Sequence, residues 1–242
     1  MYFDPGIAPD FGNPEITEDL FASLPFFGIR KCFVICDLDT LPLVSSIQQR
    51  FPALFIYSRV VMGAESVNAL KASYKKCRGK FDIFSVESTN PEVLNFAARD
   101  SRFHILSFTT KAEWNVLNSG IASLAAQFTT GIEFPLKFLL RLNNASSLYI
   151  RLCRKAITIA RLGHAPILFS SHAQSKYDLI GGKEIKSLAN SVFDIPLPIG
   201  KKITSAYPQA ILDMHPANQN GGQSPDGVRV ISRLNEEVDG LR

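Results

Sequence analysis

The chain has 242 residues, 46% of them hydrophobic and 20% charged, which is enough apolar material for a substantial core in one globular unit. Its most apolar stretch, Gly131 to Leu142, is broken by Glu133, Lys137 and Arg141, so nothing approaches the roughly 18 uninterrupted apolar residues of a membrane span. The net charge of +4 excludes little until it is located along the chain. Between Phe134 and Tyr177 there is no Asp or Glu, while Lys137, Arg141, Arg151, Arg154, Lys155, Arg161 and Lys176 all fall there. The remaining 19 basic residues face 22 acidic ones, so the rest of the chain is net −3 and the excess positive charge sits in one segment, as a polyanion-binding face requires.

Met1 to Asp10 carries two aspartates and two prolines in place of a signal-peptide pattern, and a cytoplasmic location is the expectation. The first apolar run, Cys32 to Cys36, reads as a buried strand. Its two cysteines, with three residues between them, do not make a CxxC hairpin; period two puts them on one face as small hydrophobes. Pro42 to Arg50 has helical spacing, followed by a strand at Ala53 to Met62 and a helix at Glu65 to Cys77. The same alternation gives strands at Phe81 to Val86, Phe103 to Phe108, Thr130 to Leu136 and Pro166 to Ser170, with helices at Pro91 to Arg99 and Ile121 to Phe128. Near-continuous apolar strands alternating with helices imply a parallel sheet, and the number of units favours a closed α/β barrel of the TIM type.

Ser147 to Leu162 is the clearest helix. Serines precede it, and Gly163 is expected to end it in a left-handed conformation. Arg151, Arg154, Lys155, Thr158 and Arg161 share one face, while Cys153, Ala156, Ile157 and Ala160 supply much of the other. That face is either a contact surface for RNA or protein, or the solvated outside of a barrel helix. After Leu212 the sequence becomes rich in Pro, Gly and Asn, so we expect a barrel over residues 1–212 and a partly flexible tail over 213–242, with Val230, Ile231, Leu234 and Val238 available to an amphipathic piece.

Barrel enzymes keep their chemistry at the C-terminal ends of strands, and chemistry is sparse there. Four histidines occur, with no HxH or HExxH cluster, so no metal site is expected. His104 lies inside a strand and reads as a core histidine; His172 follows Ser170 and Ser171 at a strand end. Asp37, Asp39, Glu87 and Glu133 are carboxylates at strand ends, with Asp37 and Asp39 equally readable as turn and cap residues and Glu133 as neutralised by a neighbouring basic side chain. Gly181, Gly182 and Lys183 before a helix offer backbone N–H groups and an ammonium to a phosphate, or simply make a turn.

Several of these segments, taken in order, resemble the protein 30 subunit of archaeal and eukaryotic ribonuclease P, the archaeal protein component 3. They are CFVICDLD, ALFIYSRVVM, FDIFSVESTNPEVLNFAARDSRFHILSF, GIASLAAQFTTGIEFPLKFLL, the Arg-rich helix, PILFSSHAQSKYDLIGGKEIKSLANSVF and SAYPQAIL, and they run from Ile29 to Leu212. The resemblance implies a TIM-like (PHP-like) β/α barrel without the metal ligands of PHP phosphoesterases, and no catalytic residue of its own. It further implies RNA-catalysed 5′ maturation of precursor tRNA, with Mg²⁺ used by the RNA and no cofactor bound by the protein. The implied partners are the ribonuclease P RNA, a small ferredoxin-like subunit and, through the holoenzyme, precursor tRNA. On this reading Arg59, Arg141, Arg151, Arg154, Lys155, Arg161, Ser171, His172, Lys176 and Lys183 contact RNA. Where the family has an Arg, a Pro and an Asp after the Ser-Ser strand end, this chain has Ile180 to Glu184, and the Lys183 ammonium lacks the planar fork of a guanidinium. The alternative is a barrel enzyme using Ser170, His172 and the Gly-Gly-Lys turn on a phosphorylated metabolite, or a degenerate PHP-type phosphoesterase.

Overall fold

The computed structural model describes residues 2–137 and 146–213. Seven parallel strands lie in sequence order, β1 (Tyr2–Ile7), β2 (Ile29–Ile35), β3 (Phe55–Gly63), β4 (Ile83–Glu87), β5 (Ile105–Ser107), β6 (Gly131–Pro135) and β7 (Ile167–Ser170). The helices are α1 (Pro14–Ser23), α2 (Leu41–Arg50), α3 (Val67–Cys77), α4 (Pro91–Arg99), α5 (Lys111–Val116), α6 (Ser119–Phe128), α7 (Ser146–Leu162), α8 (Gly182–Phe193), α9 (Leu197–Ile203) and α10 (Ala206–Asp213). Their starts follow capping chemistry. Asn13, Ser66, Asn90 and Asn118 each accept a first-turn backbone N–H, and Thr110 forms a capping box with Glu113.

The sheet nearly closes. At the C-terminal end of the strands, β1 meets the chain just past β7: Ala8 N donates to Ala173 O (3.0 Å) and His172 N to Gly6 O (2.8 Å). At the other end Phe3 N donates to Thr204 O (3.0 Å), so the segment after α9 fills the seam where β7 does not reach. These bonds satisfy edge groups that would otherwise face a buried gap.

Alternation along each strand sorts side chains into two cores. Residues such as Cys32, Val34, Ile56, Phe84, Leu106, Ile132 and Phe169 point outward and pack under the helices. Phe3, Phe33, Ile83, Ile105 and Leu168 point inward and fill the N-terminal half of the lumen, which α10 closes with Ile211 and Leu212. Gly131 makes room for that plug: a Cβ there would lie 2.6 Å from Ile211 Cδ1 and 2.7 Å from Leu168 Cδ1. The seam and the plug together make one barrel.

Several expectations are revised. β1 was hidden because Pro5 and Gly6 interrupt it, and they produce the register shift between Asp4 and Ile7 against β2. The left-handed residue after α7 is His164 (φ 59°), not Gly163. The glycine is needed for closeness, since a Cβ at 163 would sit 2.5 Å from that of Ala122. Arg141 and residues 214–242, where the tail was expected, lie outside the described residues.

Candidate functional site

Moving up each inward-facing row, the lumen changes from apolar to polar. The layer above Phe33, Ile83, Ile105 and Leu168 consists of Arg59, Ser85, Ser107, Glu133 and Ser170, all within 1% of complete burial. The small serines leave the width that one guanidinium needs. Arg59 Nη1 donates to Glu133 Oε1 (2.7 Å) and to the Pro5 carbonyl (2.7 Å), Nη2 donates to Glu133 Oε2, and Nε donates to Ser85 Oγ (3.0 Å). Ser107 Oγ donates to Glu133 Oε2 at 2.8 Å. The result is a two-pronged, end-on pair in which both carboxylate oxygens are engaged.

Burial pushes the Glu133 carboxyl up. The Arg59 guanidinium outweighs that effect, with His172 adding to it, and Glu133 stays well below the ordinary carboxylate range. His172, two residues past β7, takes a left-handed conformation (φ 47°), and its Nε2 lies 3.5 Å from Glu133 Oε1. Nε2 is buried without a hydrogen-bond partner, as are Ser170 Oγ and Asp4 Oδ2. Asp4 is itself fully buried in the seam, where Oδ1 accepts from Gly6 N (3.0 Å) and Ser171 N (3.3 Å); burial pushes its carboxyl up to about 6. Gly6 is wedged among them, since a Cβ there would meet Glu133 Oε1 at 2.8 Å and Arg59 Nη1 at 3.0 Å. At the rim, burial and the charges of Glu113 and Glu133 raise Glu87.

The charges of the central pair neutralise each other. A general base needs a pKa near the working pH, and Glu133, with Arg59 and Ser107 on its oxygens, lies well below the ordinary carboxylate range. Among the described residues, no three or more His, Cys, Asp or Glu side chains gather as a metal site would require. Asp37 is a turn residue, its Oδ1 accepting from Thr40 N (2.8 Å) and Thr40 Oγ1 (2.7 Å). His104 Nδ1 accepts from Phe84 N (2.9 Å) in the outer core.

The expected RNA-contacting residues separate into groups. Arg59 and Ser171, expected to contact RNA, have no exposed surface where they lie. Arg151, Arg154 and Lys155 are exposed on α7, with Arg161 half-buried one turn and a half further on. Arg154 forms an ion pair with Asp194, and Arg161 Nη1 donates to the Asp194 carbonyl (3.3 Å), so an acid distant in sequence answers part of the basic face. Arg151 and Lys155 make no ion pair with a described residue. Lys176 pairs with Asp19 on α1 at 2.9 Å. Lys183 is exposed, but Gly182 packs on the Tyr2 ring at the start of β1, about 13 Å along the strand from Gly6, which bonds His172. The Glu184 carboxylate lies against Gly181, putting negative charge at the start of α8 where a phosphate was envisaged. Ser170, His172 and the Gly-Gly-Lys turn therefore do not form one site. The Arg59–Glu133 cross-link was missed because its partners are 74 residues apart; the alternation Arg59 with Val61 and Glu133 with Gly131 was the available signal.

A nearly closed seven-stranded parallel sheet sheathed by helices, with a polar mouth and a plugged base, is a TIM-like (PHP-like) β/α barrel. The family described as RNase P subunit p30 matches residues 31–220, and the chain belongs to that family; it is a protein subunit of ribonuclease P. No curated protein is similar enough in sequence to match. Among solved structures, a chain of an archaeal ribonuclease P with mature tRNA is similar at 20% identity, over 97% of this chain and 100% of that one, with a TM-score of 0.75. A probable 2-pyrone-4,6-dicarboxylic acid hydrolase from Acinetobacter baumannii is 10% identical over 88% of this chain and 99% of its own, with a TM-score of 0.55. A putative histidinol phosphatase from Listeria monocytogenes is 9% identical over 73% and 97%, with a TM-score of 0.51. These likenesses describe the fold. No described helix is long and apolar enough to cross a membrane.

Proposed function

We propose that the chain is a non-catalytic subunit that binds and steadies the catalytic RNA of ribonuclease P while that RNA removes 5′ leaders from precursor tRNA. The observation that carries this reading is the lumen centre: the carboxylate nearest the barrel axis is held on both oxygens, by a guanidinium and a serine hydroxyl, in a buried ion pair that cross-links the barrel wall. Membership of the subunit family and likeness to a chain solved with tRNA support RNA as the partner. Exposed Arg151 and Lys155 supply cations to backbone phosphates, and each contact releases counterions. In this reading Mg²⁺ belongs to the RNA, the protein holds no cofactor, a small ferredoxin-like subunit binds beside it, and the assembly works in the cytoplasm.

The test is reconstitution of precursor-tRNA cleavage with Arg151→Glu/Lys155→Glu. Cleavage should fall at least tenfold at moderate salt and recover as RNA or protein concentration rises. Wild-type cleavage at all concentrations, or turnover of a phosphoester by the isolated chain with Mn²⁺ or Zn²⁺, removes the proposal.

A further inference from the structure

The two ends of the barrel carry opposite charge. Loops leaving the strands at the mouth contribute Asp10, Asp37, Asp39, Glu65 and Glu92 around Glu87, against Lys111 at the start of α5, Lys137, which donates to Gln174 (2.5 Å), and Lys176, which is held by Asp19. The N-terminal face is the reverse. Arg30 opens β2; Lys75, Lys76 and Lys80 surround the end of α3 and the approach to β4; Lys201 and Lys202 lie on α9 beside Thr204, which bonds the start of β1. All six are exposed, and none makes an ion pair with a described residue. Two of the acids near this face are occupied, while Glu184 lies exposed at the start of α8. Asp82 accepts from both Ser58 N and Ser58 Oγ at 2.7 Å, and Asp213 accepts from Gln209 Nε2 at 2.7 Å.

Complementing helix dipoles explains Lys75 and Lys76, which sit in the last turn of α3. It does not explain Arg30 at a strand start or Lys80 beyond the helix. Nor does it explain the apolar feature among these cations. Phe55, at the first position of β3, is 53% exposed, with Lys31 Nζ 5.5 Å from its ring centroid. Beside it a cleft of about 250 Å³ is lined by Tyr2, Phe3, Lys31 and Gln209, and Lys31 Nζ donates to Gln209 Oε1 at 2.7 Å. An open aromatic ring and a partly apolar cleft with an amide and an ammonium, ringed by unpaired cations, match an unstacked base with phosphates on either side. A protein partner would be served by the ring and the cleft, but it would leave six cations to be answered one by one.

We infer that the N-terminal face of the barrel, centred on Phe55 and opposite the mouth, is an RNA-binding surface that takes a single-stranded stretch of the RNA, one base on Phe55 and the backbone along Arg30, Lys75, Lys76 and Lys80. The inference rests on the proposed RNA-binding role and adds which end of the molecule faces the RNA. The acidic mouth then faces away from the phosphates.

The test uses the full chain with two fluorescent probes, the ribonuclease P RNA and a single-stranded oligouridylate, in salt titrations. Lys75→Glu/Lys76→Glu/Lys80→Glu should weaken both at least tenfold and make the plot of log affinity against log salt shallower by roughly 0.7 to 0.9 for each phosphate no longer neutralised. Phe55→Ala should weaken both with an unchanged slope, and Phe55→Trp should restore them. Wild-type affinity and slope in the triple variant, with weakened binding in Arg151→Glu/Lys155→Glu, overturns the inference and leaves the proposed function standing. Intact RNA binding with loss of a second protein subunit assigns the face to protein and also overturns it. No RNA binding by the wild-type chain, or a flat salt dependence, removes both readings.

Discussion

The guanidinium of Arg59 and the carboxylate of Glu133 meet end-on at the barrel axis, on strands separated by β4 and β5, and neither has any exposed surface. The pair spans the lumen and links opposite walls, also tying β1 through the Pro5 carbonyl and β4 through Ser85. Removing one partner leaves a charge buried without its counterion, a loss of about 3 to 5 kcal/mol, whereas replacing both by apolar groups of like volume is often neutral. Arg59→Met and Glu133→Leu singly should each unfold at much lower urea, and the double variant should recover most of the loss. Chemical denaturation of all four proteins gives the coupling; additive losses would show that the pair does not act as a unit.

Asp4 predicts a pH dependence of the opposite sign to the usual carboxylate. Its folded value, about 6, lies above the ordinary 3.8, so between those limits the folded chain holds a proton that the unfolded chain has released. Stability therefore declines as pH rises from about 4 to 6 and is level above, by at most about 3 kcal/mol. Asp4→Asn should flatten this decline, matching wild type near pH 4.5 and equalling or exceeding it at pH 7.5. Unfolding midpoints across pH 4 to 8 decide the matter; an unchanged slope in the variant would remove Asp4 as the cause.

Two glycines stand where the lumen has no room. Gly6→Ala would force its Cβ onto Glu133, Arg59 and Ser170, groups that are hydrogen-bonded or walled in, so overpacking should cost about 1 to 3 kcal/mol or more. Gly131→Ala meets only the side-chain ends of Ile211 and Leu168, and the easier response is for α10 to lift from the base. Limited proteolysis should cut the second variant early near residues 206–213 while the rest stays intact. Uniform loss of protection would mean that α10 and the barrel open together.

The alternation of apolar runs with helical spacing was enough to read six of the strands, because buried parallel strands are continuously apolar and depend little on distant partners. β1 escaped for the reason that gives it its role: Asp4, Pro5 and Gly6 look like a turn, yet they put a carboxylate in the seam, a carbonyl on Arg59 and a gap beside Glu133. The basic face of α7 was legible from its 3.6 period, as was the suspicion that Glu133 had a cationic neighbour. What the sequence could not reveal was which cation. Arg59 reads as a surface arginine in ALFIYSRVVM until the register of β3 against β4 sets Arg59 beside Ile83 and turns it inward. Asp19 and Asp194 likewise answer Lys176 and Arg154 only through folding.

That last pairing separates the cations of α7. Arg154 is engaged by Asp194, with both side chains about half exposed, and an exposed pair of this kind contributes less than about 1 kcal/mol to stability. Arg151 and Lys155 flank it with no such partner. If free charge governs RNA binding, Arg151→Gln and Lys155→Gln should each reduce the salt slope by nearly the increment of one phosphate, and Arg154→Gln by less. Asp194→Asn should move the other way, since releasing Arg154 adds a cation to the same face. Tighter RNA binding in Asp194→Asn, abolished again in Asp194→Asn/Arg154→Gln, is the expected pattern. Equal effects from all three basic residues, with none from Asp194, would mean that RNA displaces the internal acid at no cost and that the pairing in the free protein does not tune the surface.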